Sequence, residues 1–251
     1  MAERVLHPMR IRRLQVAKVA DLSPSLRRVW LAGDLSGFPY GHFSPGDHVR
    51  LILPENGELV LPQVVDNRVV RVPGIGPTRD YTPRTVDADG LVIDMVTSHD
   101  GPAARWAAAA QVGDEIGVGG PRASVLMPAD REHYVVVADA TALPAAARWV
   151  EGAPAAARLT LLLHAPGNER YLDEVDQSRV GAHWCATEAE VLDRLRDLDL
   201  TSAFVWAAGE AQWMIQVREV LSERRVRRPD RKVVGYWRRG EAGFDHHTDL
   251  G

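Results

Sequence analysis

The chain has 251 residues, 45% of them apolar and 25% charged, the profile of a protein with a folded core and not of a disordered or fibrous one. Thirty basic residues against 34 acidic ones give a formal charge of -4, so there is no global positive field for nucleic acid or an anionic membrane, and any anion site must be local. Cys185 is the only cysteine, which excludes an intramolecular disulfide and a thiolate metal centre; a free thiol in a reducing cytoplasm is expected.

The first 19 residues carry charge without an apolar stretch, and no later run approaches ~18 consecutive apolar residues, so neither export nor a membrane span is expected. From Arg12 to about Ala129 the pattern is short strand-like runs: LQVAKVADL, LRRVWLAG, HVRLILP, LVIDMVTS and EIGVGG. Pro45-Gly46, Asn56-Gly57 and Asp89-Gly90 supply turns, and the spacing predicts an antiparallel barrel or sandwich. One helix interrupts it, Pro102 to Ala110, rich in alanine and opened by a proline suited to a first turn.

After Asp130 the pattern alternates: strand HYVVVAD, helix LPAAARWVEGA, strand ARLTLLLHA, helix ATEAEVLDRLRDLD, strand SAFVWAAG, helix EAQWMIQVREVLSERR and strand RKVVGYWRRG. Strands separated by helices imply a parallel, Rossmann-like sheet with ligands at the strands' carboxyl ends. The expected organisation is therefore a β-barrel domain at 1–129 followed by an α/β domain at 130–251.

The residues richest in chemistry are Arg79-Asp-Tyr-Thr-Pro-Arg84 and, one strand later, Gly101-Pro-Ala-Ala-Arg-Trp106. On a strand Arg79 and Tyr81 share a face, so a guanidinium suited to phosphate and a ring suited to a flat heterocycle can serve one ligand, with the Thr82 hydroxyl beside them. The Gly101 segment opens a helix whose free N–H groups and dipole suit a pyrophosphate. Spacing alone fits an edge strand and a covering helix equally well.

The R-x-Y-T strand resembles that of ferredoxin-reductase-like flavoproteins, and GPAARWAAAAQVGDEIGVGGPRAS, VVVADATALPAAARWVE, FVWAAGEA and GYWRRG together resemble, in order, the motifs of the siderophore-interacting protein family, over about residues 12 to 240. The resemblance implies an FAD-binding antiparallel barrel, a nucleotide-binding α/β domain and FAD between them. By motif position it implies FAD contacts from Arg79, Tyr81, Thr82 and Arg84, from Asp94, Met95, Val96 and His99, and from Gly101, Pro102, Ala103, Ala104 and Trp106. In the second domain it implies cofactor contacts from Asp139, Thr141, Ala142, Pro144, Gly209, Glu210, Tyr236 and Trp237, with Arg238 and Arg239 toward the substrate. No metal ligands and no covalent catalytic residue are implied.

The implied activity is FAD-dependent reduction of a ferric siderophore in the cytoplasm by a monomer, with electrons from NADPH, NADH or a ferredoxin; another flavin-dependent reductase or a non-catalytic flavin or siderophore binder are the alternatives. Three departures bear on this. The family's G-D-E-T is Ala138-Asp139-Ala140-Thr141 here, Ala104 replaces a serine, and the family's histidine has an offset counterpart in His99. Outside the motifs, His246-His247 reads as a polar tail and the run Arg224, Arg225, Arg227, Arg228 and Arg231 as a solvated helix end. Trp149, Trp213 and Met214 read as core.

Overall fold

A computed structural model describes residues 3–40, 44–87 and 89–244. The chain divides between Met127 and Pro128 into two compact units.

The first unit begins with β1 (Arg4–Leu6), β2 (Ile11–Ser23), β3 (Leu26–Ala32) and β4 (Val49–Ile52). A short hairpin follows, β5 (Gln63–Val65) and β6 (Arg68–Val70), then β7 (Thr78–Tyr81), β8 (Pro83–Asp87), β9 (Gly90–Val96), α1 (Pro102–Ala109), β10 (Glu115–Gly119) and β11 (Ala123–Val125). Seven strands form one antiparallel sheet in the order β7-β4-β10-β2-β3-β9-β8. Its two edge strands are separated in the chain by Thr82 alone, so the sheet has to curl until its edges meet: this is the barrel the sequence predicts.

Alternation sets which residues face inward. On β2, Arg12, Leu14 and Val16 are buried while Arg13 and Gln15 are exposed. The inward set, with Val49, Leu51, Ile93 and Val118, forms a core that also takes in Ala103 and Ala107 of α1. Each fully buried leucine or valine contributes roughly 1.5–3 kcal/mol. Asn56-Gly57 takes positive φ at both residues between the bridged Glu55 and Glu58, the turn its sequence predicts. Asp66-Asn67 does the same between β5 and β6.

The second unit contains β12 (His133–Asp139), α2 (Leu143–Gly152), β13 (Arg158–His164), β14 (Val180–Trp184), α3 (Glu188–Asp197), β15 (Ala203–Glu210), α4 (Ala211–Glu223) and β16 (Arg231–Trp237). The five strands are all parallel, in the order β14-β13-β12-β15-β16. Every residue of β12 and β15 is buried, as central strands covered on both faces require. Trp149 packs tilted against the Tyr134, Phe204 and Trp206 rings, and Trp213 and Met214 join the other core, so Trp149, Trp213 and Met214 are core as expected. α3 is capped by the Thr187 hydroxyl, which accepts from the Glu190 N–H at 3.1 Å, and carries Glu188 and Glu190 early and Arg194 and Arg196 late. The edge strand β14 was not expected: it is half-exposed and carries a glycine and a histidine, so it has no apolar run to read.

From β12 the sheet grows in both directions, to β13 and to β15, so the order reverses between β12 and β15. Their carboxyl ends, Asp139 and Glu210, border the crevice where ligands of such sheets bind.

Candidate functional site

In the barrel unit, Leu51 is paired with Arg79 and Val49 with Tyr81, which places both Arg79 and Tyr81 on the core-facing side of β7. Asp80 points the other way and closes a two-pronged ion pair with Arg50, at 2.9 and 2.6 Å. Among the described residues Arg79 donates only to the Thr78 carbonyl, at 2.7 Å, leaving most of its fork available. Tyr81 packs against the barrel core, and burial holds its phenol neutral by pushing its pKa up to about 12, with the Arg79 charge opposing. Thr82 is 6% exposed, yet its hydroxyl has no hydrogen-bond partner among the described residues. Arg84 is the extra residue of a bulge between Pro83 and Thr85, a device that re-aims a side chain, and it is buried.

α1 has Gly101 as its N-cap and Pro102 in its first turn, so the capping position offers no side-chain oxygen to the leading N–H groups. The space on the side-chain face of Gly101 is open, with no atom within 4 Å of where a Cβ would stand. Ala103 is buried in the same apolar cluster that Trp106 and Tyr81 pack against. The fold thus brings Tyr81, Ala103 and Trp106 onto one cluster, with the Arg79 fork on the same face of β7 as Tyr81, the Thr82 hydroxyl next in the chain and a helix start without a side-chain cap. That donor set fits a dinucleotide: phosphates for the guanidinium and helix start, a flat ring for Tyr81.

Asp94, Met95 and Val96 lie inside the wall instead. Both Asp94 oxygens accept from Arg28, at 2.7 and 2.8 Å, and Met95 is core. Asp94 is the buried counter-ion of Arg28. His99 follows in the bend before α1, half-buried.

In the α/β unit the carboxyl ends of three strands are tied together by Asp139. One of its oxygens accepts from the N–H and hydroxyl of Thr141, at 2.8 and 2.5 Å; the other accepts from the Glu210 N–H at 2.9 Å and the Trp237 indole at 2.8 Å. Burial raises the Asp139 carboxyl above the ordinary range, and the Thr141 hydroxyl and Trp237 indole oppose it. Gly209 is needed here: a Cβ would stand 2.8 Å from the Asp139 carboxyl carbon. Glu210 in turn accepts from the N–H groups of Trp213, at 2.9 Å, and Arg239, at 3.1 Å. Both carboxylates are therefore held at the carboxyl ends of their strands, and a tight helical turn at Ala140–Ala142, which Asp139 caps through the Thr141 N–H, runs directly into α2 with Pro144 in its first turn. Tyr236 is the extra residue of a bulge against Gly209 and Glu210 and sets its ring edge-on to Trp206.

Comparison with known proteins decides what this arrangement belongs to. Residues 15–125 match the siderophore-interacting FAD-binding domain, and residues 131–240 match the siderophore-interacting protein domain. The chain belongs to the siderophore-interacting protein family. It is 31% identical to an NADPH-dependent ferric-chelate reductase of Escherichia coli, over 84% of this chain and 86% of that protein. It is 29% identical to the ferric vibriobactin reductase ViuB of Vibrio cholerae, over 95% and 93%. A siderophore utilization protein from T. fusca has the same structure at a TM-score of 0.86, with 40% identity over 98% of this chain and 100% of that one.

Within this family member the two terminal arginines differ. Arg238 forms an ion pair with Glu241 at 3.3 Å and lies over the Phe244 ring at 5.0 Å. Arg239 is fixed by its backbone to Glu210, and its guanidinium has no partner among the described residues. Arg224, Arg225, Arg227 and Arg228 are exposed at the end of α4, beside the amino end of β16 and therefore at the opposite end of the sheet from Asp139. His246 and His247 lie outside the described residues. Sequence reasoning missed the Arg28 pairing of Asp94 and the hydrogen bonds that Asp139 accepts from Glu210 and Trp237, because those partners come from distant parts of the chain.

Proposed function

We propose that the chain reduces the iron of a ferric siderophore, with FAD held by the barrel unit and NADPH as the electron source, and so releases iron in the cytoplasm. The observation that carries this reading is the set of unused donors in an FAD-binding domain: the Arg79 fork, the Thr82 hydroxyl and the uncapped start of α1. The names of the Escherichia coli and Vibrio cholerae relatives support the ferric substrate, and the former supports NADPH.

Bound FAD supplies a two-electron acceptor that also delivers electrons singly. The chain's residues hold and orient. Arg79 and the α1 N–H groups neutralise phosphate charge, and Tyr81, neutral below about pH 12, offers its ring as a flat wall. Thr82 offers a hydrogen bond at the ring edge. In the α/β unit Asp139 and Glu210 fix the crevice at the carboxyl ends of β12 and β15, where the nucleotide is received. The unpaired Arg239 guanidinium attracts an anionic chelate. Reduction suffices for release, because the oxygen and nitrogen donors of a siderophore favour Fe(III) over the more labile Fe(II).

The purified protein should be yellow, bleach anaerobically with NADPH and regain its colour when a ferric hydroxamate or catecholate chelate is added. Colour that returns with quinones or free flavins but with no ferric chelate would overturn the substrate assignment. A non-catalytic binder is the second reading, favoured by Ala140, which stands where the family has a carboxylate. Stopped-flow mixing with NADPH, NADH and reduced ferredoxin decides it, since a binder leaves the flavin absorbance unchanged with all three.

A further inference from the structure

We propose that Glu210 is a positioning residue for the ferric substrate: its carboxylate holds the turn that presents Arg239, and so sets the affinity for an anionic chelate of the catecholate type. This role rests on the reading that Arg239 attracts such a chelate.

Glu210 is the N-cap of α4, and its Oε2 accepts from the Trp213 N–H at 2.9 Å. Serine, threonine, aspartate and asparagine are the preferred residues at that position, because a short side chain suffices to reach the first N–H groups of a helix. Glutamate is one methylene longer than aspartate, and the added reach has a use. Its other oxygen, Oε1, accepts from the Arg239 N–H at 3.1 Å. Glu210 is itself held, 6% exposed, with its N–H on the same Asp139 oxygen that accepts from the Trp237 indole. The residues on both sides of Arg238 are thus fixed, Trp237 through its side chain and Arg239 through its backbone.

Those bonds hold a tight turn. The Glu241 N–H donates back to the Arg238 carbonyl at 3.1 Å, and Gly240 has a φ of 79°, which fits the third position of a type II turn. Arg239 takes the second position, at the corner, and is exposed. Of the charged side chains in the turn, Arg238 and Glu241 pair with each other at 3.3 Å, which leaves Arg239 for a ligand. Glu210 binds the Arg239 backbone, so it fixes where the charge stands without using the guanidinium.

The test follows flavin reoxidation in the flavin-loaded, photoreduced protein by two chelates, a strongly anionic ferric tris-catecholate and an uncharged ferric trihydroxamate. Low ionic strength keeps an exposed charge least screened, and photoreduction takes the pyridine nucleotide out of the measurement. The readout is the ratio of the catecholate to the hydroxamate dissociation constant. Arg239→Ala should raise it about tenfold. Glu210→Asp keeps the charge and a preferred cap for α4 but falls short of the Arg239 N–H, and should raise the ratio about threefold or more. In the double variant the ratio should match that of Arg239→Ala, since the two residues act through one contact. A raised ratio in Arg239→Ala with none in Glu210→Asp, or additive effects in the double variant, would overturn the positioning role alone. An unchanged ratio in Arg239→Ala would overturn the underlying reading of Arg239, and the positioning role with it.

Discussion

Arg79 and Thr82 differ in what they offer, and affinity measurements should separate them. Removing the guanidinium in Arg79→Ala deletes charge-assisted hydrogen bonds of about 1.5–3 kcal/mol, so the apoprotein should bind FAD roughly 10- to 150-fold more weakly. Thr82→Val removes one neutral hydrogen bond, worth about 0.5–1.5 kcal/mol, and should cost roughly 2- to 12-fold. Flavin titration of the apoprotein checks both, and an unchanged constant in Arg79→Ala would remove β7 from the site. The shared face of Arg79 and Tyr81 was legible because strand geometry fixes it at spacing two. The pairing of Asp94 was not, because its partner Arg28 is 66 residues away and no local pattern encodes it. The same holds for Asp139, whose donors come from the next turn, β15 and the end of β16.

Elements were legible wherever burial imposed a pattern. β12 and β15 are buried throughout and apolar between their ends because both faces are covered, and α3 shows its polarity through early acids and late arginines. The hairpin of β5 and β6 and the edge strand β14 escaped notice because neither is constrained by a core: the hairpin exposes Val64, Val65, Val69 and Val70. β12 also carries a pH response. His133, 3% exposed, contacts Thr160 at 2.9 Å and Arg158 at 2.9 Å; burial and then the Arg158 charge lower its pKa, with Asp199 opposing. The unfolded chain takes up a proton near pH 6.5 and the folded chain does not, so the contribution is complete above that value and declines as pH falls below it. Urea midpoints should drop between pH 7.5 and pH 5.5, and His133→Gln should flatten the difference. An equal drop in both proteins would place the effect elsewhere.

Across the whole molecule the change of periodicity near residue 130 was readable because an antiparallel sheet needs only turns, whereas each parallel pair needs a helix to return the chain. That the barrel's edges meet at one residue was not readable, since strand order is set by long-range pairing. A map of hydrogen exchange tests where FAD acts: adding it to apoprotein should slow exchange in 78–87 and 101–109, with no comparable change in β12, which is buried already. No slowing at 101–109 would remove the helix start from the site. The one-residue seam at Thr82 also limits what length changes the barrel tolerates. An inserted residue there either bulges outward or slides β8 by one step, and a slide would turn Arg84 to the opposite side and move Pro83, which has no N–H to donate, along the ladder. Exchanges of side chain at this corner therefore tune ligand affinity, whereas indels would unfasten the barrel, so a library that varies the corner has to hold its length constant.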